Sequence, residues 1–140
     1  VAVKLICVSH TPLMDFVEAP EATDHAVRDT FRALGEDVRA FDPDVIVIFT
    51  PDHFNGFFYD LMPPFCIGLA ASCAGDWGIG HGPVNVPEAF ALDLVKAVQA
   101  DDVDVSLSYR MTIDHGCTQP LELMLGSVDA YPVVPIFVNG

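Results

Sequence analysis

Val45-Ile46-Val47-Ile48-Phe49-Thr50-Pro51-Asp52-His53 decides how this chain is read. Five consecutive aliphatic or aromatic residues, mostly β-branched, form a strand-sized run with no alternation, the pattern of a strand buried on both faces. Pro51 ends it, and a histidine follows at once. In open α/β sheets, ligands collect beyond the carboxyl ends of the strands. His53 is therefore placed where chemistry is expected.

Working outward, residues 21–41 carry Val27, Phe31, Leu34, Val38 and Phe41 at alternating steps of four and three. That is one helical face. Arg28, Asp29, Arg32, Glu36 and Asp37 fall on the other side, and Asp42-Pro43-Asp44 stops the helix. Upstream, residues 1–8 form a second apolar run whose only charge is Lys4, which predicts a first strand. Strand, helix, strand is a βαβ unit, hence a parallel pair joined by a right-handed crossover. Downstream, the pattern predicts a short strand over 67–71, a helix over 87–100, a half-buried strand over 103–109, a short helix over 118–125 with Pro120 in its first turn, and an apolar strand over 133–138. The irregular stretch between 51 and 87 concentrates aromatics: Phe54, Phe57, Phe58, Tyr59, Phe65 and Trp77. The fold class expected is α/β, a mostly parallel sheet flanked by helices, with residues 1–140 as a single α/β domain. Asn139-Gly140 follow the last strand with no closing element, so this is expected to be the N-terminal part of a larger fold, or a chain completed by a partner.

The composition narrows the function. The chain has 140 residues, 51% hydrophobic and 19% charged, which suits a globular domain with a real core. Six Lys and Arg against 20 Asp and Glu give a net charge of −14. Nothing here neutralises phosphates, so no nucleic acid partner is expected. No apolar run approaches the ~18–20 residues that span a bilayer, so no membrane partner is expected either. The N-terminus lacks a signal-peptide pattern, and a cytoplasmic location is expected. Cys7, Cys66, Cys73 and Cys117 form no C-x-x-C pair and read as small buried hydrophobes.

Three histidines follow apolar runs: His10 in Ser9-His10-Thr11-Pro12, His53, and His115 in Asp114-His115-Gly116. Pro12 forces the backbone off the helical region at Thr11, so His10 sits at a corner, as a metal ligand or as a loop-capping residue. His53 has Asp52 beside it to orient its ring or accept from it, and the tight turn Asn55-Gly56 after it. His115 reads as a general acid or base, or as a turn histidine bonded to Asp114; Gly116 permits a close approach to the backbone. His25 reads as an exposed helical residue and His81 as a loop residue. Two histidines and a carboxylate make the facial triad of non-haem iron oxygenases. His10 and His53 fill two corners, and Asp52, Asp114 and Glu122 compete for the third without decisive spacing.

The segments Cys7-Val8-Ser9-His10-Thr11-Pro12-Leu13, Pro51-Asp52-His53-Phe54-Asn55-Gly56-Phe57-Phe58-Tyr59-Asp60 through Met62-Pro63-Pro64-Phe65-Cys66, and Asp114-His115-Gly116 through Gln119-Pro120-Leu121-Glu122 resemble the class III extradiol catechol dioxygenases, over the N-terminal half of such an enzyme. The resemblance implies that His10 and His53 bind Fe(2+) and that His115 donates a proton. It also implies that the third ligand, a glutamate, and a second acid–base histidine lie beyond residue 140, which removes Glu122 as a ligand. The activity implied is extradiol (meta) ring cleavage of a 3-substituted catechol, such as 2,3-dihydroxyphenylpropionate or 2,3-dihydroxycinnamate, with both atoms of O2 incorporated. The expected partners are the catechol and O2, with a homo-oligomer or a second chain completing the fold. Arg110 is the one basic residue near a motif to meet the substrate's carboxylate, and the aromatics after His53 would flank its ring. A non-catalytic Memo-like binding protein and a metal-dependent hydrolase are the competing readings.

Overall fold

The computed structural model describes residues 1–139. The elements, in chain order, are a 3-10 turn at Pro12–Asp15, helix α1 (Glu21–Phe41), strands β1 (Ile46–Thr50), β2 (Phe65–Gly68) and β3 (Ala71–Cys73), a short turn at Asp76–Gly78, β4 (Pro83–Val84), α2 (Glu88–Ala100), β5 (Ser106–Ser108), β6 (Met111–Ile113), α3 (His115–Leu125) and β7 (Val133–Val138). The fold is α/β, as the pattern predicts, and α1 and β7 begin and end where the periodicity places them.

A four-stranded sheet runs in the order β1-β7-β2-β5 and a three-stranded one in the order β4-β3-β6. Three of the five pairings are parallel: β1 with β7, β2 with β5, and β3 with β6. The β2/β5 pair continues into β3/β6 across a bend, bridged by the amide of Leu69 donating to Ser108 and that of Met111 donating to Ala70. The strand expected over 67–71 is thus split: it covers the end of β2, a two-residue bend and the start of β3.

β7 is the strand buried on both faces. Val133 and Phe137 enter one core with Ile113, Cys117 and Leu121; Val134 and Ile136 enter another with Ala91 and Val95 of α2. Cys66 and Ile67 of β2 divide the same way. α2 therefore covers one face of the sheet and α3 the other, with α1 stacked on α3.

Four expectations fail here. Residues 1–8 form no strand, and Val3 and Leu5 stay about 85% exposed. A strand needs a hydrogen-bonded neighbour, and the segment is fastened instead by an ion pair from Lys4 to Asp37 on α1. The βαβ unit is consequently absent, and β1 pairs only with β7. As an edge strand β1 is covered on one face alone: Phe49 is 67% exposed. Cys7, in the same segment, is exposed rather than buried. Among the described residues, no helix is long and apolar enough to cross a membrane.

Candidate metal centre

Everything that builds the site converges on the start of α3. Asp114 caps that helix, accepting the amide of Gly116 at 2.9 Å. The helix thus begins at His115, three residues before the expected start, and Pro120 falls in the second turn. Asp114 is fully buried. Its carboxylate also accepts the backbone amide of His53 at 2.8 Å, the side-chain amide of Asn55 at 3.2 Å, and Nδ1 of His53 at 3.2 Å from both oxygens. Burial pushes this carboxyl up, but the hydrogen bonds it accepts from His53, Asn55 and Gly116 outweigh that and hold it below its ordinary value. It is an anion at neutral pH.

A carboxylate on Nδ1 turns the other ring nitrogen of His53 outward as a lone pair. Nε2 of His53 lies 3.3 Å from Nε2 of His10. His10 is held from the far side by α3: the buried side chain of Gln119 accepts from the Thr11 amide at 2.9 Å and donates to the Thr11 carbonyl at 2.8 Å. Thr11 is extended, as the following proline requires. Burial, then the neighbouring His53 and His115, lower the His10 pKa against a smaller opposing pull from Asp114. His10 therefore stays neutral at pH 7, the state that binds metal.

His115 completes the group. Its ring stacks on His53 at 4.4 Å with a 22° tilt, and lies 5.6 Å from that of His10. One ring nitrogen from each of the three lies within 4.8 Å of the others. Two histidine nitrogens bound to one ion at about 2.0–2.1 Å, as on zinc, sit about 3 Å apart, so the His10–His53 spacing fits a shared metal. Imidazole suits iron, zinc, copper or nickel. Three of the four thiols do not compete: burial pushes Cys66 up to about 11 and Cys73 and Cys117 upward as well.

The three histidines singled out in the sequence are thus brought together, while His25 and His81 remain exposed outside the group. The carboxylates are redistributed. Asp52 does not orient His53; it closes the turn after it, accepting the amides of Asn55, Gly56 and Phe57. Asp114 serves His53 rather than its neighbour His115. Glu122 accepts the amide of Gly80 at 3.1 Å. The partner of His115 is Asp76, 39 residues away, with Oδ2 at 2.6 Å from Nδ1. Arg110 is exposed just before β6, at the other end of that strand from Asp114 and His115. The aromatics after His53 do not wall the site as a group: Phe57 packs on Phe137, and Phe54 and Tyr59 pack on each other at the surface. The ring beside His115 is Trp77, 6.3 Å away, with Phe16 behind it.

Gly116 matters for a reason the sequence does not show. A Cβ there would stand 2.9 Å from Cε1 of His53 and 3.1 Å from Asp114 Oδ1. Gly116→Ala is expected to push the His53 ring off its carboxylate and weaken metal binding about 10-fold or more, with a smaller effect on folding, since a side chain yields more easily than backbone. Metal titration alongside thermal unfolding checks this; an unchanged affinity would contradict it.

The chain matches the family model described as the catalytic LigB subunit of aromatic ring-opening dioxygenase over residues 4–140. Three curated relatives are each named 2,3-dihydroxyphenylpropionate/2,3-dihydroxicinnamic acid 1,2-dioxygenase. That of Photorhabdus laumondii is 57% identical over 137 residues, covering 98% of this chain and 43% of the relative. That of Paraburkholderia xenovorans is 55% identical over 138 residues, with 98% and 43% covered. That of Rhodococcus globerulus is 47% identical over 135 residues, with 96% and 43% covered. The chain spans less than half the length of these relatives. It belongs to the LigB family of aromatic ring-opening dioxygenases, the class III extradiol enzymes.

Proposed function

We propose that this chain contributes the histidine ligands and one acid–base group of an Fe(2+)-dependent extradiol dioxygenase that cleaves a 3-substituted catechol such as 2,3-dihydroxyphenylpropionate or 2,3-dihydroxycinnamate. The observation that carries the reading is the paired Nε2 atoms of His10 and His53, 3.3 Å apart, with His115 stacked beside them, in a chain of this family. The relatives' names support the substrate class.

In this reading His10 and His53 hold the iron, and Asp114 keeps His53 in the tautomer that can do so. Fe(2+) held there would supply Lewis-acid and one-electron redox chemistry for the reaction of the catechol with O2. His115, itself 7% exposed, exchanges a proton with the substrate. Trp77 offers an apolar edge for the ring. The family resemblance implies that the third ligand, a glutamate, would come from outside residues 1–140; within them Asp52, Asp114 and Glu122 each accept hydrogen bonds from neighbouring amides. Residues 1–140 would accordingly be part of one catalytic α/β domain.

The test is oxygen uptake by the complete, iron-loaded protein with 2,3-dihydroxyphenylpropionate, together with the yellow ring-cleavage product. Consumption of one O2 per catechol with that product is expected. Iron-loaded protein that gives neither with any 3-substituted catechol would refute the proposal.

A further inference from the structure

The structure assigns Asp76 as the positioning residue for His115: we infer that its carboxylate fixes the proton on Nδ1, so that Nε2 alone is left to exchange a proton with a bound substrate. The inference deepens the dioxygenase reading and rests on it only for the consequence in catalysis.

The placement follows from the sheet. β3 and β6 are parallel neighbours with Cys73 opposite Ile113, and the Ala74 amide donates to the Ile113 carbonyl at 2.8 Å. The two strands therefore deliver Asp76 and His115 side by side beyond their carboxyl ends. The carboxylate then grips His115 twice. Oδ1 accepts the backbone amide at 3.0 Å, and Oδ2 accepts Nδ1 of the ring at 2.6 Å. An ionised carboxylate only accepts, so the Nδ1 proton is required by its partner. The double contact fixes both the ring's rotation and its tautomer.

The backbone around Asp76 is unusual in a way that serves this contact. Gly75 and Gly78 have φ of +71° and +72°, and Trp77, with a Cβ, has φ of +56°. A left-handed tryptophan is a costly conformation that persists only where its surroundings impose it. It turns the chain so that Asp76 faces His115 while the Trp77 ring lies 6.3 Å from the same imidazole. Asp76, Asp114 and His115 also lie close enough to suggest a second metal cluster. Every carboxylate oxygen in that group already accepts a hydrogen bond from His53, Asn55, His115 or Gly116, which leaves hydrogen bonding as its purpose.

Asp76→Asn makes the assignment testable. The amide has one oxygen and one NH2. If its oxygen keeps the His115 backbone amide, its NH2 faces Nδ1 and demands a lone pair there, which moves the ring proton to Nε2. Long-range 1H–15N correlation on the metal-free chain, at a pH where the imidazoles are neutral, reads the tautomer directly. The parent is expected to show Nδ1 protonated in His115. Asp76→Asn is expected to shift the population toward Nε2–H, and Asp76→Glu, which restores a pure acceptor, to return it toward Nδ1–H. Unchanged backbone amide signals from the sheet and α2 report that the fold is intact. A parent His115 protonated on Nε2 would overturn the proposal without any variant, and so would an Asp76→Asn tautomer identical to the parent's. In the complete iron-loaded protein, Asp76→Asn is expected to lower kcat about 10²-fold, with KM and iron content nearly unchanged. Loss of iron in step with activity would assign Asp76 a purely structural role and overturn it too. Absence of ring cleavage by the parent protein would refute the dioxygenase reading and leave the tautomer result standing.

Discussion

Asp114→Ala is expected to lower folding stability by about 2–4 kcal/mol, from the loss of a helix cap and of the acceptor shared by several amide donors. It is also expected to weaken metal binding about 10–100-fold, as the loss of a carboxylate behind a ligating histidine does. The two effects share one cause. Removing the carboxylate strips α3 of its cap and leaves the His53 amide, the Asn55 side chain and the Gly116 amide without their acceptor. Each buried unpaired donor costs about 1–3 kcal/mol. It also frees the His53 ring to turn Nε2 away from His10. Denaturant unfolding and metal titration of the same variant measure both. A variant within about 1 kcal/mol of the parent would mean that Asp114 does not organise this corner.

Gly35→Ala is the second large effect, and its sign runs against helix propensity. Alanine in a helix interior is favoured over glycine by about 1 kcal/mol. Here the added Cβ would stand 1.8 Å from the carbonyl oxygen of Met124 and 2.8 Å from its carbon, both backbone atoms. α1 and α3 cannot keep their present contact. Gly35 is buried, between Phe31 and Val38 on the packed face. The helices must part, at an overpacking cost of about 1–3 kcal/mol or more. Because α3 carries His115 and Gln119 at its other end, the damage should reach the metal centre. Thermal unfolding decides: a lower Tm is expected, and an equal or higher one would show that the helix pair closes differently.

The sequence carries the elements more fully than their assembly. The i, i+3/i+4 spacing of α1 and the unbroken run of β7 each encode one local geometry, and both appear with the bounds their patterns predict. Residues 1–8 carry an equally apolar run, but a strand exists only where a neighbour offers its amides and carbonyls. No pattern within eight residues specifies that neighbour. The same limit explains the site. His10, His53 and His115 could be singled out because each follows a break in an apolar run. Their supports could not. Asp114 is adjacent to His115 in sequence, yet an N-cap side chain turns toward the amide two residues on, and that turn aims it at His53. Asp76 and Gln119 meet their partners across 39 and 108 residues. The one local hint of Asp76 is a carboxylate set among the glycines of Gly75-Asp76-Trp77-Gly78-Ile79-Gly80, where the backbone takes conformations other residues avoid.

The central claim is that His10 and His53 share one metal ion. Anaerobic titration of the 15N-histidine-labelled chain with Fe(2+), followed through all five imidazole resonances, tests it most directly, because His25 and His81 serve as internal controls. His10 and His53 are expected to broaden together at the lowest additions, with His115 following from its stacked position and His25 and His81 last. Broadening that begins at His25 or His81, or that reaches His10 without His53, would contradict a shared site.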